Sequence, residues 1–200
     1  MKAPRIPIAA PGRTLPPPAL RPDIESVLLS PERIRRRVAR LGDDLTREFS
    51  GRELVVVAML HGTVVFLADL LRHLPLPLQL DFLAGSSYRS GTRPGVLRMT
   101  RELRLDVRGR EVLIVDDILD TGRTLEFVRD RIARLRPAGI RTCVLLDKPS
   151  RRERPIQADH VGFQIPDVFV VGYGMDHDER FRNLPFVGVR RITPLKGDGG

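Results

Sequence analysis

The densest chemistry in the chain lies at residues 112–124, VLIVDDILDTGRT. An apolar run ends on two adjacent acids, Asp116 and Asp117. A third acid, Asp120, follows, and then Thr121, Gly122, Arg123 and Thr124. A strand, a short loop with glycine and a helix start make an anion site, because N–H groups at a helix N-terminus point outward and the helix dipole favours negative charge there. Hydroxyls on Thr121 and Thr124 add donors for phosphate oxygens, and Gly122 lets the backbone approach closely. Carboxylates beside a phosphate would repel it unless they bind sugar hydroxyls or a metal. Hard oxygen ligands suit Mg²⁺, which keeps several of its waters. The loop is not a Walker A loop, since the Gly-Lys-Ser/Thr ending is missing, nor a GxGxxG fingerprint. The other reading of these residues is a strand, loop and helix with acidic caps and no ligand.

The flanking elements are legible from periodicity. Ser30, Pro31 and Glu32 are an N-cap, a proline at the first helical position and an early acid. Ile34, Val38, Leu41, Leu45 and Phe49 then recur at spacings of three and four, which predicts a helix with one apolar face, ended by Gly51. A buried strand is expected over 53–60, a helix over 64–74 that stops before Pro75, and a second strand over 76–83. Residues 84–95 are rich in Gly, Ser, Thr and Pro and read as a long mobile loop, of the kind that often serves as a lid. Extended structure over 96–107 returns from it. A strand over 111–115, a helix over 121–135 and a strand over 140–146 follow, with short strands at 168–171 and 187–189. Strands alternating with helices imply an α/β fold with a parallel sheet.

The length of 200 residues favours one domain. Residues 1–22 hold seven prolines and no hydrophobic periodicity, so they read as a disordered or extended Pro/Arg-rich tail. The domain is expected over 23–195, with 196–200 a flexible polar end. The tail has no apolar stretch long enough for a secretory segment, although its arginines leave a targeting role open. No apolar run approaches the roughly 20 residues that span a bilayer. The formal charge is +9, of which Lys2, Arg5, Arg13 and Arg21 place four in the tail. Lysine occurs only at positions 2, 148 and 196 against a large excess of arginine, which suggests a coding bias rather than a nucleic-acid surface. A modest positive field suits any anionic substrate. The single cysteine, Cys143, lies in an apolar run and reads as a small core residue. These features together predict a cytoplasmic protein.

Segment 112–124 resembles the 5-phosphoribosyl 1-pyrophosphate (PRPP) signature of type I phosphoribosyltransferases. The similarity extends from Val27 to Val189 and is to the hypoxanthine-guanine branch. It is carried by FLADLLRH at 66–73, Ser86-Ser87-Tyr88, LLDKP at 145–149, VGFQIP at 161–166, FVVGYG at 169–174 and RNLP at 182–185. The resemblance implies a twisted, mainly parallel sheet flanked by helices, with a small hood subdomain over the base. It implies purine salvage: transfer of 5-phosphoribosyl from PRPP to N9 of hypoxanthine or guanine, giving IMP or GMP and pyrophosphate. Asp116 and Asp117 would engage the ribose hydroxyls and hydrated Mg²⁺, and Asp120, Thr121, Gly122, Arg123 and Thr124 would cradle the 5′-phosphate. Asp120 would also stand near purine N7 as general base or proton relay, unless it only stabilises its loop. Lys148 would donate to O6, unless it is an exposed strand-end lysine. Phe169 would stack on the base and Val170 would offer its backbone, a role compatible with a buried strand. Asp176 would bind a second Mg²⁺, Arg182 would pair with pyrophosphate, and Ser87 and Tyr88 would belong to a closing lid.

One block departs from the family. Its pyrophosphate loop usually reads Leu-Lys-Gly, where this chain has Leu60-His61-Gly62. The family loop works largely through main-chain N–H groups, often after a cis peptide, so His61 and Gly62 would keep that role with altered side-chain contacts and some pH sensitivity. A homodimer or homotetramer, with PRPP and a purine base as ligands and neither membrane nor nucleic acid as partner, completes the expectation. The alternative is a PRPP-fold regulator that binds RNA, which the basic charge permits.

Overall fold

The computed structural model describes residues 15–88 and 96–191. A six-stranded sheet is built from β2 (Leu54–Leu60), β3 (Leu78–Tyr88), β4 (Val96–Arg101), β5 (Glu111–Leu119), β6 (Gly139–Asp147) and β7 (His160–Gln164), in the order β4-β3-β2-β5-β6-β7. All neighbours are parallel except β3 and β4. Helices α1 (Pro31–Phe49) and α2 (Val64–Leu71) pack on one face, and α3 (Arg123–Ala133) on the other. A second sheet, antiparallel, joins β1 (Ile24–Leu29), β9 (Val187–Arg190) and β8 (Val170–Val171) and forms the hood.

The central strands are buried on both faces, which is why they read as continuous apolar runs. Along β2 and β5 alternate residues serve opposite cores: Leu54, Val56, Ala58, Leu113 and Val115 face α1 and α2, while Val55, Val57, Met59, Val112 and Ile114 face α3. The predicted stripe Ile34, Val38, Leu41, Leu45 and Phe49 is buried in the first core. Ser30 caps α1 as expected, its hydroxyl accepting from Arg33 N at 3.3 Å. Cys143 is fully buried in that core, and burial pushes its thiol up to about 12.

The differences from the expected elements have physical reasons. The loop expected over 84–95 is strand as far as Tyr88, because β4 pairs with it (Ser87 opposite Leu97, Tyr88 opposite Val96) and ladder pairing overrides a Gly/Ser composition. Ser87 and Tyr88 are therefore strand residues rather than loop residues, and 89–95 lie outside the described residues. Strand β5 likewise continues past Val115 to Leu119 along β6, so both adjacent acids are strand residues. Helix α2 stops at Leu71, short of position 74, and α3 begins at Arg123 instead of position 121. Residues 1–14 lie outside the description and 15–17 carry no regular structure, with Pro17 at φ −48°, ψ 143°, but 18–22 turn rather than extend. Pro18–Leu20 form a 3-10 turn and Leu20 packs on the Ile24–Val171 cluster of the hood, so apolar partners and proline-fixed φ order this stretch.

Candidate active site

Strands β2 and β5 are neighbours whose onward connections diverge: the chain leaves β2 toward β3 and leaves β5 toward β6. Crevices outside the carboxyl ends of parallel strands at such a switch point are the usual ligand sites of open α/β sheets. The residues singled out from the sequence gather there.

Asp116 and Asp117 end the buried part of β5. Asp116 Oδ1 accepts from Thr63 Oγ1 at 3.2 Å and from Asp117 N at 3.0 Å, and Asp117 Oδ1 accepts from Ile118 N at 2.9 Å. Burial first, then the neighbouring Asp117 carboxylate, pushes the Asp116 carboxyl well above the usual range. Burial also raises Asp117, against the opposing charge of Arg182 among other groups. Two carboxylates short of positive charge, with free oxygen lone pairs, fit a hydrated divalent cation and sugar hydroxyls. Among the described residues no three His, Cys, Asp or Glu side chains converge as a metal cluster, and Asp176 is linked to the pair through Arg182, whose charge bears on Asp117 and which pairs with Asp176. Mg²⁺ commonly takes one or two carboxylates plus substrate oxygens, which this pair can supply.

The loop after β2 passes directly over the diacid. Its Leu60–His61 peptide is cis, His61 is exposed, and a Cβ at Gly62 would come within 1.9 Å of Asp117 Oδ2. Only glycine leaves room for that carboxylate. Thr63 is a buried functional contact that sequence reasoning missed, although a hydroxyl at the end of a buried strand beside a glycine was the available signal.

After β5, Gly122 adopts φ +87° and caps α3, aiming the first N–H groups of that helix out of the loop. Thr121 Oγ1 accepts from Arg123 N at 3.4 Å, and Arg123 pairs with Glu153 at 2.6 Å. Thr124 lies in the first turn of α3. Asp120 Oδ1 accepts from Arg151 Nε at 3.2 Å, and its main-chain carbonyl accepts from Arg152, which also pairs with Asp147. Arg151 and Arg152 were hidden from sequence reasoning by the abundance of arginine.

Lys148, at the end of β6, is only 6 % exposed, which removes the reading as an exposed strand-end lysine. Phe169 is 44 % exposed, so it is not a buried strand residue; its ring meets His177 edge-on at 5.3 Å. Val170 is buried in β8, the edge strand of the hood sheet, whose outer backbone edge carries no neighbouring strand. Asp176 Oδ1 pairs with Arg182 Nη1 at 2.9 Å, and Arg182 also donates to Gly174 O at 3.0 Å and to Glu179 Oε2 at 2.9 Å. A phosphate ligand of Arg182 would therefore exchange for carboxylates already in place. Ser87 and Tyr88 are placed by their backbone at the end of β3, beyond its pairing with β2 and opposite Leu97 and Val96 of β4.

A family model of the phosphoribosyl transferase domain matches residues 26–178. The hypoxanthine phosphoribosyltransferase of Haemophilus influenzae is 46% identical over 166 residues, covering 81% of this chain and 93% of that protein. The hypoxanthine-guanine phosphoribosyltransferase of Bacillus subtilis is 43% identical over 168 residues, 84% of this chain and 93% of that one. The chain spans only 26% of the bifunctional protein TilS/HprT of Listeria innocua, to which it is 43% identical. A crystal structure of a hypoxanthine phosphoribosyltransferase from Staphylococcus aureus superposes with a TM-score of 0.83 at 38% identity, covering 86% of this chain and 95% of that one. With a family model over residues 26–178, relatives above 40% identity along nearly their whole length and a shared fold, the chain belongs to the type I phosphoribosyltransferases, on their hypoxanthine-guanine branch.

Proposed function

We propose that the protein transfers the 5-phosphoribosyl group of PRPP to N9 of hypoxanthine or guanine, releasing pyrophosphate. The observation that carries this reading is the buried, under-compensated pair Asp116 and Asp117 at the switch point, with the amino end of α3 beside it. A hydroxyl-bearing sugar with a phosphate on one end, accompanied by a divalent cation, matches those groups in kind. The N–H groups of residues 122–124 and the hydroxyls of Thr121 and Thr124 hold the 5′-phosphate. Asp116 and Asp117 hold the ribose hydroxyls and Mg²⁺, and Asp176 faces a second Mg²⁺ with Arg182 and the main chain of His61 and Gly62 on the pyrophosphate. Mg²⁺ held by these groups would supply positive charge against the charge that develops on departing pyrophosphate.

The chain's own residues do the rest by alignment. Lys148 donates to O6, which favours a 6-oxopurine over adenine. Phe169 offers an accessible ring face to the base, and Val170 its free backbone edge. Asp120 accepts the N7 proton as N9 bonds to C1. Ser87 and Tyr88 contribute to covering the site. In this reading the catalytic unit is 23–195, with residues 1–22 and 196–200 as appendages, and it works in the cytoplasm as a homodimer or homotetramer. No helix among the described residues is long and apolar enough to cross a membrane.

Purified protein with Mg²⁺, PRPP and either base should form the nucleoside monophosphate and pyrophosphate, with adenine inert. Absence of product from both 6-oxopurines overturns the reading. Tight, steeply salt-dependent RNA binding without turnover would put the RNA-binding alternative in its place.

A further inference from the structure

Arg151 lies on the 3-10 turn Pro149–Arg151, which begins directly after Lys148. Its Nε donates to Asp120 Oδ1 at 3.2 Å, and its Nη1 stands 3.8 Å from Asp167 Oδ2. The other oxygen of Asp167 stands 3.9 Å from Lys148 Nζ. The four side chains form a row of alternating charge, Asp120, Arg151, Asp167, Lys148, and its two ends are the groups assigned to the purine. Asp120 first, then Asp167, raises the Arg151 guanidinium above its ordinary range. The main chain is tied in the same place. Lys148 N donates to Leu119 O at 2.9 Å, and Glu153 N and Arg154 N donate to Thr121 O at 2.9 and 3.1 Å. The turn carrying Arg151 is therefore fastened to the phosphate loop on both sides of Asp120.

On a 6-oxopurine, O6 and N7 lie side by side on one edge. A donor for the first and an acceptor for the second must be presented at a matching separation. We propose that Arg151 and Asp167 set that separation: Arg151 is a positioning residue that holds Asp120 Oδ1 and turns Oδ2 toward the N7 proton, and Asp167 is the shared counter-ion that keeps Lys148 in step. The proposal rests on the roles given above to Asp120 and Lys148. Among the described residues no hydrogen bond occupies Asp120 Oδ2, so that oxygen is available to the base. Arg151 and Asp167 are each about half exposed, and ion pairs of that kind contribute little to folding. Their effect belongs in turnover, where small misplacements of a reacting group are costly.

The test is steady-state kinetics on Arg151→Ala, Arg151→Lys, Asp167→Asn, Asp120→Asn and the double variant Arg151→Ala/Asp120→Asn. Arg151→Ala is expected to lower kcat/KM for hypoxanthine about tenfold while apparent KM for PRPP stays within about twofold and the urea midpoint is unchanged. Arg151→Lys, which keeps the charge but not the fork, recovers part of the loss. Asp167→Asn costs roughly threefold, again in the base and not in PRPP. In the Asp120→Asn background the Arg151→Ala change costs nothing further, because the route through which it acts is gone. Additive losses in the double variant, or full turnover by Arg151→Ala, overturn the inference while leaving the proposed reaction standing. Full turnover by Asp120→Asn overturns the inference together with the proton-accepting role given to Asp120, and absence of product in the wild type is what overturns the reaction itself.

Discussion

Asp81 and Asp116 are buried carboxylates on strands of one sheet, 3 % and 8 % exposed, and their surroundings are opposite. Asp81, on β3, accepts from three main-chain N–H groups: Phe82 at 2.8 Å, Arg104 at 2.5 Å and Leu105 at 2.9 Å. Arg101 stands 3.6 Å away. Burial pushes its carboxyl up, but the donors outweigh burial and hold it below the usual range. Asp116 has one hydroxyl, one N–H and a second carboxylate beside it, and it is pushed well up. Burial is the same in kind at both places. The donor count separates an acid that fastens the segment after β4 to the sheet from an acid left short of donors.

The sharpest way to break this contrast is Asp116→Asn. Turnover should fall by about 100-fold or more, while the ligand-free protein gains roughly 1 kcal/mol of stability as a buried like-charge pair is relieved. A variant that is both inactive and less stable in urea would show that Asp116 is structural, like Asp81. The converse change, Asp81→Ala, should cost about 2 kcal/mol by stranding buried N–H donors, with kcat of the remaining folded protein little altered. An equal loss of kcat would erase the distinction between the two acids.

A third test uses pH on ligand-free protein. A carboxyl raised in the folded state contributes stability that is fully present below its unfolded value of about 3.9 and is lost as pH rises through the folded one. Asp116 and Asp117 should therefore make wild type more stable at mildly acidic than at neutral pH. Asp81 has the opposite sign: its contribution stands above about 3.9 and is lost as pH falls through its lowered folded value. The urea midpoint of Asp116→Asn should change less between neutral and mildly acidic pH than that of wild type, and parallel curves would contradict the assignment. The smallest effect is expected at the rim of the diacid, where His61→Lys should lower apparent KM for PRPP a few-fold, about 1 kcal/mol or less. An unchanged KM would mean that this loop acts through its main chain alone.

Much of this was legible before folding. The helix stripe from Ile34 to Phe49, the Ser30 cap and the apolar strands follow from period and capping, which are local. The block 112–124 announced a sugar-phosphate site because strand, glycine and helix start are contiguous in sequence. Misreadings fell where pairing partners are distant. Residues 84–88 look like loop until β4 lies against them, and Asp116 and Asp117 fall beyond the strand read over 111–115 until β6 pairs along that stretch. Arg151 and Asp167 had no local signature, since each acquires meaning only from a carboxylate or amine brought to it across the fold.

The sequence by itself determined the order of the elements and the apolar faces they bury, and it singled out the candidate groups of the 112–124 block, because periodicity, caps and motif spacing are properties of neighbouring residues. The tertiary structure alone decided which acids are satisfied and which are left short. A carboxylate's charge state and availability depend on donors and charges arriving from other strands. Asp81 met main-chain donors from the segment after β4 and became part of the frame. Asp116 met a second acid, Asp117, and was left short of donors.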